Sequence, residues 1–482
     1  MTEGNSRRPE YALPSEYGPT RADGPEFDQT DPAVRTLPRD APPASDQPAA
    51  PTPGNGELSR RERRLARADD RARHRQRTAR ARWIRRGIVL LVVILLIPVG
   101  WSYVHALQRP GNESVSIRTV EWIRDHGGNG IVNTIERWWY TNNPPPEGGR
   151  PRRIATQQTG GEVPVSTRVP SPTLPPQPEH LPAPTLRVST PAPNVEQNEG
   201  VWQAVGRQVG GLPAEYITFV RPDAAHTSFY VALMWLDTKL LKAVYVPGLD
   251  EPGGGPNPWG SQIPPDQRNT LIAAFNSGFK MDSARGGVYF GGQEVRPLVN
   301  GAASLIVKKN GSATVGAWGR DATMGPDIES VRQNLELLID NGQLNPALRE
   351  NDTTAFGATL GNNVYVWRSG VGVDANGGLI FAGGNALSVL SLAKTLQAAG
   401  AVRAMEMDIN TQWVSAFTYV NENAADPTSQ VVGIKLGGDM SASPDRYLSA
   451  GSRDFFAFFA NPRLPAPTPT TTTVPPTTTT RK

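Results

Sequence analysis

The chain has 482 residues, 46 of them proline and 48 glycine, a formal net charge of +4 and no cysteine. The missing thiols exclude disulfides, thiolate nucleophiles and Cys-ligated zinc at once, and leave the redox compartment open. Five histidines occur, at 74, 105, 126, 180 and 226, and only His226 falls in the stretch able to build a core, so a two-histidine zinc motif is excluded there.

Residues 1–82 read as a disordered, Arg-rich tail. The first 58 are rich in Pro, Asp, Glu, Ser and Gly and bury too little apolar surface to offset the entropy of ordering. Thirteen arginines then stand between Arg60 and Arg86. A nucleic-acid-binding arm is one reading of such a run, but the next residues offer a better one. Residues 83–107 contain the uncharged run from Gly87 to Leu107, long enough to span a bilayer as one transmembrane helix. Basic residues crowd before it and thin out after it, which places the N-terminus in the cytoplasm and the C-terminal region outside the cell.

Residues 108–140 hold two short amphipathic helices, Val115 to His126 and Ile131 to Tyr140, separated by Gly127-Gly128-Asn129-Gly130. Trp122, Trp138, Trp139 and Tyr140 suit either the membrane surface or packing on a folded domain. Residues 141–197 form a Pro-rich, semi-rigid linker. Residues 463–482 alternate Pro with Thr runs and read as a disordered tail.

Residues 198–462 are the segment that can fold. Thr227 to Leu236 and Leu240 to Val246 read as strands. Ser304 to Val307 joins Ala313 to Val315 through Asn310-Gly311, and Gly370 to Val373 joins Leu379 to Phe381 through Asn376-Gly377; both pairs are antiparallel hairpins. Ile328 to Asn341 has Val331, Leu335, Leu338 and Ile339 at helical spacing, and Ala386 to Ala399 has Val389, Ala393 and Leu396 in register, with Asn385 or Ser388 as cap and Gly400 as stop. The expected fold is α+β, a mainly antiparallel or mixed sheet with packed helices, preceded by the transmembrane helix and disordered segments.

Three polar sites follow apolar strand runs. Asn276-Ser277-Gly278-Phe279 follows Leu271 to Phe275, Arg368-Ser369-Gly370 follows Val364 to Trp367, and Glu406, Asp408 and Asn410 close the stretch from Met405. Alternation along a strand puts Glu406 and Asp408 on one face, with Cα atoms roughly 7 Å apart, a spacing from which two carboxyl groups can act on one bond. A solvated strand end accounts for the same pattern. Arginine holds phosphate by paired hydrogen bonds, and carboxylates are the groups left to move protons or attack carbon where thiols are missing and one imidazole is available. A Ser/His/Asp triad would have to use His226, and no Gly-x-Ser-x-Gly elbow flanks a serine of the domain.

The order of these sites resembles the phosphodiester glycosidase family, which includes the N-acetylglucosamine-1-phosphodiester alpha-N-acetylglucosaminidases. The likeness runs from Leu271 to Trp413. Asn276-Ser277-Gly278-Phe279 matches an Asn-Gly-Gly-Phe-Phe segment, Leu338-Ile339-Asp340-Asn341-Gly342 a Leu-x-x-Asp/Asn-Gly turn, and Arg368-Ser369-Gly370-Val371-Gly372 an Arg-Thr-Ala-Ile-Gly strand. Ala399-Gly400-Ala401 and Met407-Asp408-Ile409-Asn410 match a helix end and a Leu-Asp-Gly-Gly-Gly-Ser strand end. Ile409, Asn410 and Thr411 replace three glycines, Glu406 an asparagine and Ser277 a glycine.

The resemblance implies a hydrolase of sugar-1-phosphodiesters in envelope glycans such as exopolysaccharide. Asn276, Arg368 and Asp408 are the positions that match the family's active-site motifs: Asp408 would be the primary catalytic carboxylate and Arg368 the phosphate contact. Glu406, on the same strand face as Asp408 but outside the family's pattern, would be the partner of Asp408. Asn276, Ser277, Gly278, Ser369 and Asn410 would bind substrate. No cofactor is expected; a divalent cation has no support in the residues. The partners expected are a carbohydrate or phosphoglycan and the membrane, not nucleic acid. A catalytically silent protein that binds a glycan or phosphoglycan in the same groove is the alternative.

Overall fold

The computed structural model describes residues 60–109, 113–152, 154, 178–349, 356–357, 359, 364–423, 426 and 428–461. Of the tail expected to be disordered at 1–82, residues 60–82 belong to a helix, while 1–59 lie outside the described residues, as do 153 and 155–177 of the linker and the tail 463–482. Met1–Gly87 and Ile88–Lys482 are separate units. The described part of the first is the basic half of α1 (Arg60–Leu107). The rest of α1 carries a stretch long and apolar enough to cross a membrane, with Ile88 to Ile97 exposed along it.

Two helices follow, α2 (Val115–Asp125) and α3 (Asn129–Asn142). Ser114 caps α2, its Oγ accepting from the Ile117 amide. Tyr103 Oη and Thr119 Oγ1 lie 2.8 Å apart, and Trp122 Nε1 donates to Ser102 Oγ at 3.0 Å, so α2 folds back against the end of α1.

Among the described residues, eighteen strands come next. In order they are β1 (Gln203–Val209), β2 (Leu212–Val220), β3 (Val231–Leu236), β4 (Leu241–Val246), β5 (Leu271–Asn276), β6 (Val288–Phe290), β7 (Gln293–Arg296), β8 (Ala303–Lys308) and β9 (Ala313–Ala317). Then come β10 (Ile328–Gln333), β11 (Leu337–Asp340), β12 (Gln343–Leu344), β13 (Val366–Asp374), β14 (Leu379–Leu387), β15 (Ala401–Glu406), β16 (Ala416–Asn421), β17 (Val431–Lys435) and β18 (Phe455–Ala460). A single turn of helix, α4 (Met281–Ala284), follows β5, and α5 (Val389–Ala398) follows β14.

The strands build three sheets, β1-β2-β3-β14-β13-β15-β11-β12, β7-β6-β10-β8-β9 and β17-β16-β5-β18-β4. Both Asn-Gly hairpins form, β8 with β9 and β13 with β14, and both are antiparallel. Helix α5 begins at Ser388, whose Oγ accepts from the Ser391 amide at 3.0 Å, and ends before Gly400, where φ is +99°. It packs Val389, Leu392, Ala393 and Leu396 onto β13, β14 and β15. The domain is α+β, with antiparallel sheets and packed helices, as expected.

One expected helix is not there. Residues 328–341 form β10 and β11 instead. The apolar spacing fits a helix, but five of the six β10 residues are buried between β6 and β8, as in a fully enclosed strand. Leu335 then takes a positive φ of 55°, which breaks any helix and lets the chain pass from the second sheet to the first.

One core cluster draws residues from all three sheets, among them Met234, Phe381, Phe275, Phe458 and Leu305. Phe275 of β5 is fully buried; its ring stacks on Phe381 of β14 at 4.9 Å and 23° and meets Phe458 at 5.0 Å. This is where the third sheet rests on the first. Phe275→Ala should lower unfolding free energy by about 3–5 kcal/mol, read from the denaturant midpoint at unchanged slope. A loss under about 1 kcal/mol would show that the sheets do not depend on this ring for their contact.

Candidate active site

The first and third sheets leave their strand ends side by side, and the polar residues collect there. Asn276 closes β5. Its Oδ1 accepts from the Ser415 amide at 3.0 Å, and its Nδ2 donates to the Ser277 carbonyl at 2.8 Å and to Ser369 Oγ at 3.0 Å. The side chain is thereby fixed between β5, β13 and the loop before β16. Ser369 in turn holds the Asp408 backbone: its amide donates to the Asp408 carbonyl at 2.8 Å, and its Oγ accepts from the Asp408 amide at 3.1 Å. Gly278 packs directly on Asn334, since an added Cβ would lie only 3.1 Å from that side chain.

Asp408 is 4% exposed. Its Oδ1 accepts from the Asn410 amide at 2.9 Å and its Oδ2 from Arg453 Nη2 at 2.9 Å. Burial raises its carboxyl above the ordinary range, and the Arg453 charge pulls the other way without cancelling that effect. Arg453 Nη2 also donates to the Gly278 carbonyl at 2.8 Å. The Trp413 ring has Arg446 4.5 Å from its centroid and Arg453 5.1 Å from it, so the indole braces both guanidinium groups. Asp454, also buried, accepts through Oδ2 from Arg332 Nε at 2.7 Å and from Tyr245 Oη at 2.8 Å.

These groups surround a niche of about 10 Å³ lined by Asn276, Ser277, Gly278, Asp408, Trp413, Arg446, Tyr447, Arg453 and Asp454. Ser277 Oγ, Arg453 Nε and Asp454 Oδ1 are buried without a hydrogen-bond partner. Native interiors rarely leave three such atoms together, and a niche of this volume admits about one water molecule or one polar atom of a ligand. Two larger cavities, of about 240 and 350 Å³, adjoin it and share Arg453.

Of the residues expected at the site, Asn276, Ser277, Gly278 and Asp408 line the niche, with Ser369 directly behind. Asn410 shapes the turn, its Oδ1 accepting from the Gln412 amide at 2.9 Å. Arg368 and Glu406 are elsewhere in the interior. Arg368 lies within β13 rather than past a strand end, is 1% exposed, and bonds Glu406 Oε1 through Nη1 at 2.6 Å and the Leu387 carbonyl through Nε at 2.9 Å. The alternation expected from Met405 to Ile409 also stops early. Strand β15 ends at Glu406; Met405 and Met407 enter one core cluster, while Ile409 packs against the other. Glu406 and Asp408 therefore face different arginines.

Reading the sequence missed Arg453, Asp454, Arg446 and Tyr447. Arg453-Asp454 stands immediately before Phe455-Phe456-Ala457-Phe458-Phe459, the same join of polar and apolar residues as at the other sites but at a strand's beginning.

No family model matches the chain, and no curated protein matches it. Among solved structures it is similar to the catalytic domain of zebrafish N-acetylglucosamine-1-phosphodiester alpha-N-acetylglucosaminidase, auto-inhibited by its pro-peptide, with 13% identity, 54% of this chain and 87% of that one covered, and a TM-score of 0.34. It is also similar to a hypothetical protein from Synechocystis, with 12% identity, 51% and 64% covered, and a TM-score of 0.27. What the chain carries is a distant structural resemblance to the fold of that catalytic domain.

Proposed function

We propose that the protein is a membrane-anchored, extracytoplasmic hydrolase of sugar-1-phosphodiester linkages in envelope glycans, with α1 as a single-pass anchor and its arginine-rich end in the cytoplasm. The observation that carries this reading is a raised carboxyl, Asp408, bonded to an arginine at a niche with three partnerless buried polar atoms. In the proposed reaction Asp408 takes a proton from water, and the water oxygen joins the anomeric carbon. The bond from that carbon to the phosphate oxygen breaks, and its electron pair leaves with the phosphate. Arg453 Nε meets the charge that develops there, in the place expected for Arg368. The Arg368–Glu406 pair is assigned to holding β13 against β15.

Asp408→Asn keeps the shape and removes the ionisable group. Turnover of a sugar-1-phosphodiester by the full chain should fall roughly a hundredfold while binding persists. Because the carboxyl is raised and must be ionised to act as base, the acid limb of the wild-type rate profile should lie above the ordinary carboxylate range and vanish in the variant. If wild type and variant bind a phosphoglycan alike and neither hydrolyses any phosphodiester, the protein is a binding module instead.

A further inference from the structure

The 350 Å³ cavity beside the niche has an unusual wall. Trp413 and Arg453 of the site form one side of it, and Ser102, His105 and Ala106, from the last turns of the apolar helix α1, form another. Residues 110–112 lie outside the described residues, and the residues on either side of them are held. Arg118 donates through Nη1 to the Leu107 carbonyl at 2.7 Å, Arg109 pairs with Asp250 at 2.9 Å, and Glu113 Oε1 accepts from the Ser452 amide and hydroxyl at 3.1 Å each. Lys280, three residues after Ser277, pairs with Glu121 of α2. The end of the bilayer-length helix is thus built into the rim of the site.

A second feature points the same way. Ile131, Ile135, Trp138 and Trp139 recur at one-face spacing on α3 and are all more than half exposed, as is Trp101 near the end of α1. An apolar stripe ending in two tryptophans, close in sequence to a membrane-length helix, is what a helix lying in the bilayer interface carries. With α1 across the membrane and α3 on its surface, the cavity opens at head-group level.

We infer, on the basis of the hydrolase reading above, that the phosphodiester reaching Asp408 belongs to a lipid. Its sugar and phosphate lie in the 350 Å³ cavity against Trp413 and Arg453, with the reacting bond at the mouth of the niche, while its hydrocarbon tail stays in the bilayer beside α1. Hydrolysis then frees the sugar to water and leaves the lipid monophosphate in the membrane. Confinement to the same surface raises the effective concentration of such a substrate without any new contact.

The test uses the full chain in phosphatidylcholine vesicles with two sugar-1-phosphodiesters of identical head group, one esterified to a long alkyl chain held in the bilayer, the other to ethanol and free in solution. The expected result is a kcat/KM at least about tenfold higher for the embedded ester. Ala106→Trp, which fills the cavity between α1 and Trp413, should cut that ratio about tenfold. Equal or faster cleavage of the ethyl ester, with a ratio insensitive to Ala106→Trp, overturns membrane supply and leaves the hydrolase reading standing. If neither ester is cleaved, the hydrolase reading fails and this inference falls with it.

Discussion

Arg453→Leu is expected to lower kcat/KM on a sugar-1-phosphodiester by two to three orders of magnitude, about what removing one preorganised donor to a developing charge costs. Three roles meet in this side chain. It fixes Asp408 Oδ2 at 2.9 Å, anchors on the Gly278 carbonyl at 2.8 Å, and keeps Nε without a protein partner. Arg453→Lys should recover only part of the loss, because a point charge cannot hold Asp408 and a phosphate oxygen together. Leucine also removes the charge that opposes the rise in the Asp408 carboxyl, so whatever activity remains should have its acid limb at higher pH. A pH–rate series on wild type, Arg453→Lys and Arg453→Leu checks both points. Wild-type kcat/KM in the leucine variant would remove Arg453 from the proposed chemistry.

The second large effect concerns stability and lies away from the site. Glu215 of β2 is fully buried, and its Oε1 accepts from Thr418 Oγ1 of β16 at 2.6 Å, while Oε2 has no partner. Burial pushes the carboxyl up to about 8, with the Thr418 hydrogen bond only partly offsetting it. The native state therefore keeps this proton over a range in which the unfolded chain releases it. Its contribution is fully present below the unfolded value near 4.5 and is lost as pH rises toward 8. The loss at the upper end is on the order of 4 kcal/mol. Glu215→Gln should flatten the dependence and stabilise the protein at pH 8, measured as denaturant midpoints from pH 5 to 8.5. Parallel curves for the two proteins would show that Glu215 does not titrate in this window.

Local chemistry was legible in the sequence. The Asn-Gly turns set two hairpins, Ser388 and Gly400 bound α5, and the uncharged run after Arg86 marks the membrane-length part of α1. Where tertiary surroundings decide, the sequence pattern misleads. Residues 328–341 satisfy a helical spacing, yet they are divided between two sheets, because a short apolar run fits an enclosed strand equally well. The site divides along the same line. Asn276 to Gly278 and Asp408 reach the niche because they stand at or within two residues of a strand's end. That Arg453 rather than Arg368 meets Asp408 depends on strand order across 45 residues of sequence, and both arginines look alike when read singly.

Strand β18 is the last described strand of the chain, yet it sits inside its sheet between β5 and β4, and the two residues just before it are Arg453 and Asp454. Biosynthesis runs from the other end. The apolar helix α1 is made early, and the strand that brings the guanidinium to Asp408 is made late, so β5 and β4 must wait with their facing edges unpaired. A chain arrested anywhere between α1 and Arg453 has its apolar helix but not its niche. The niche is thus completed only when β18 has been inserted, after every other described strand has been made.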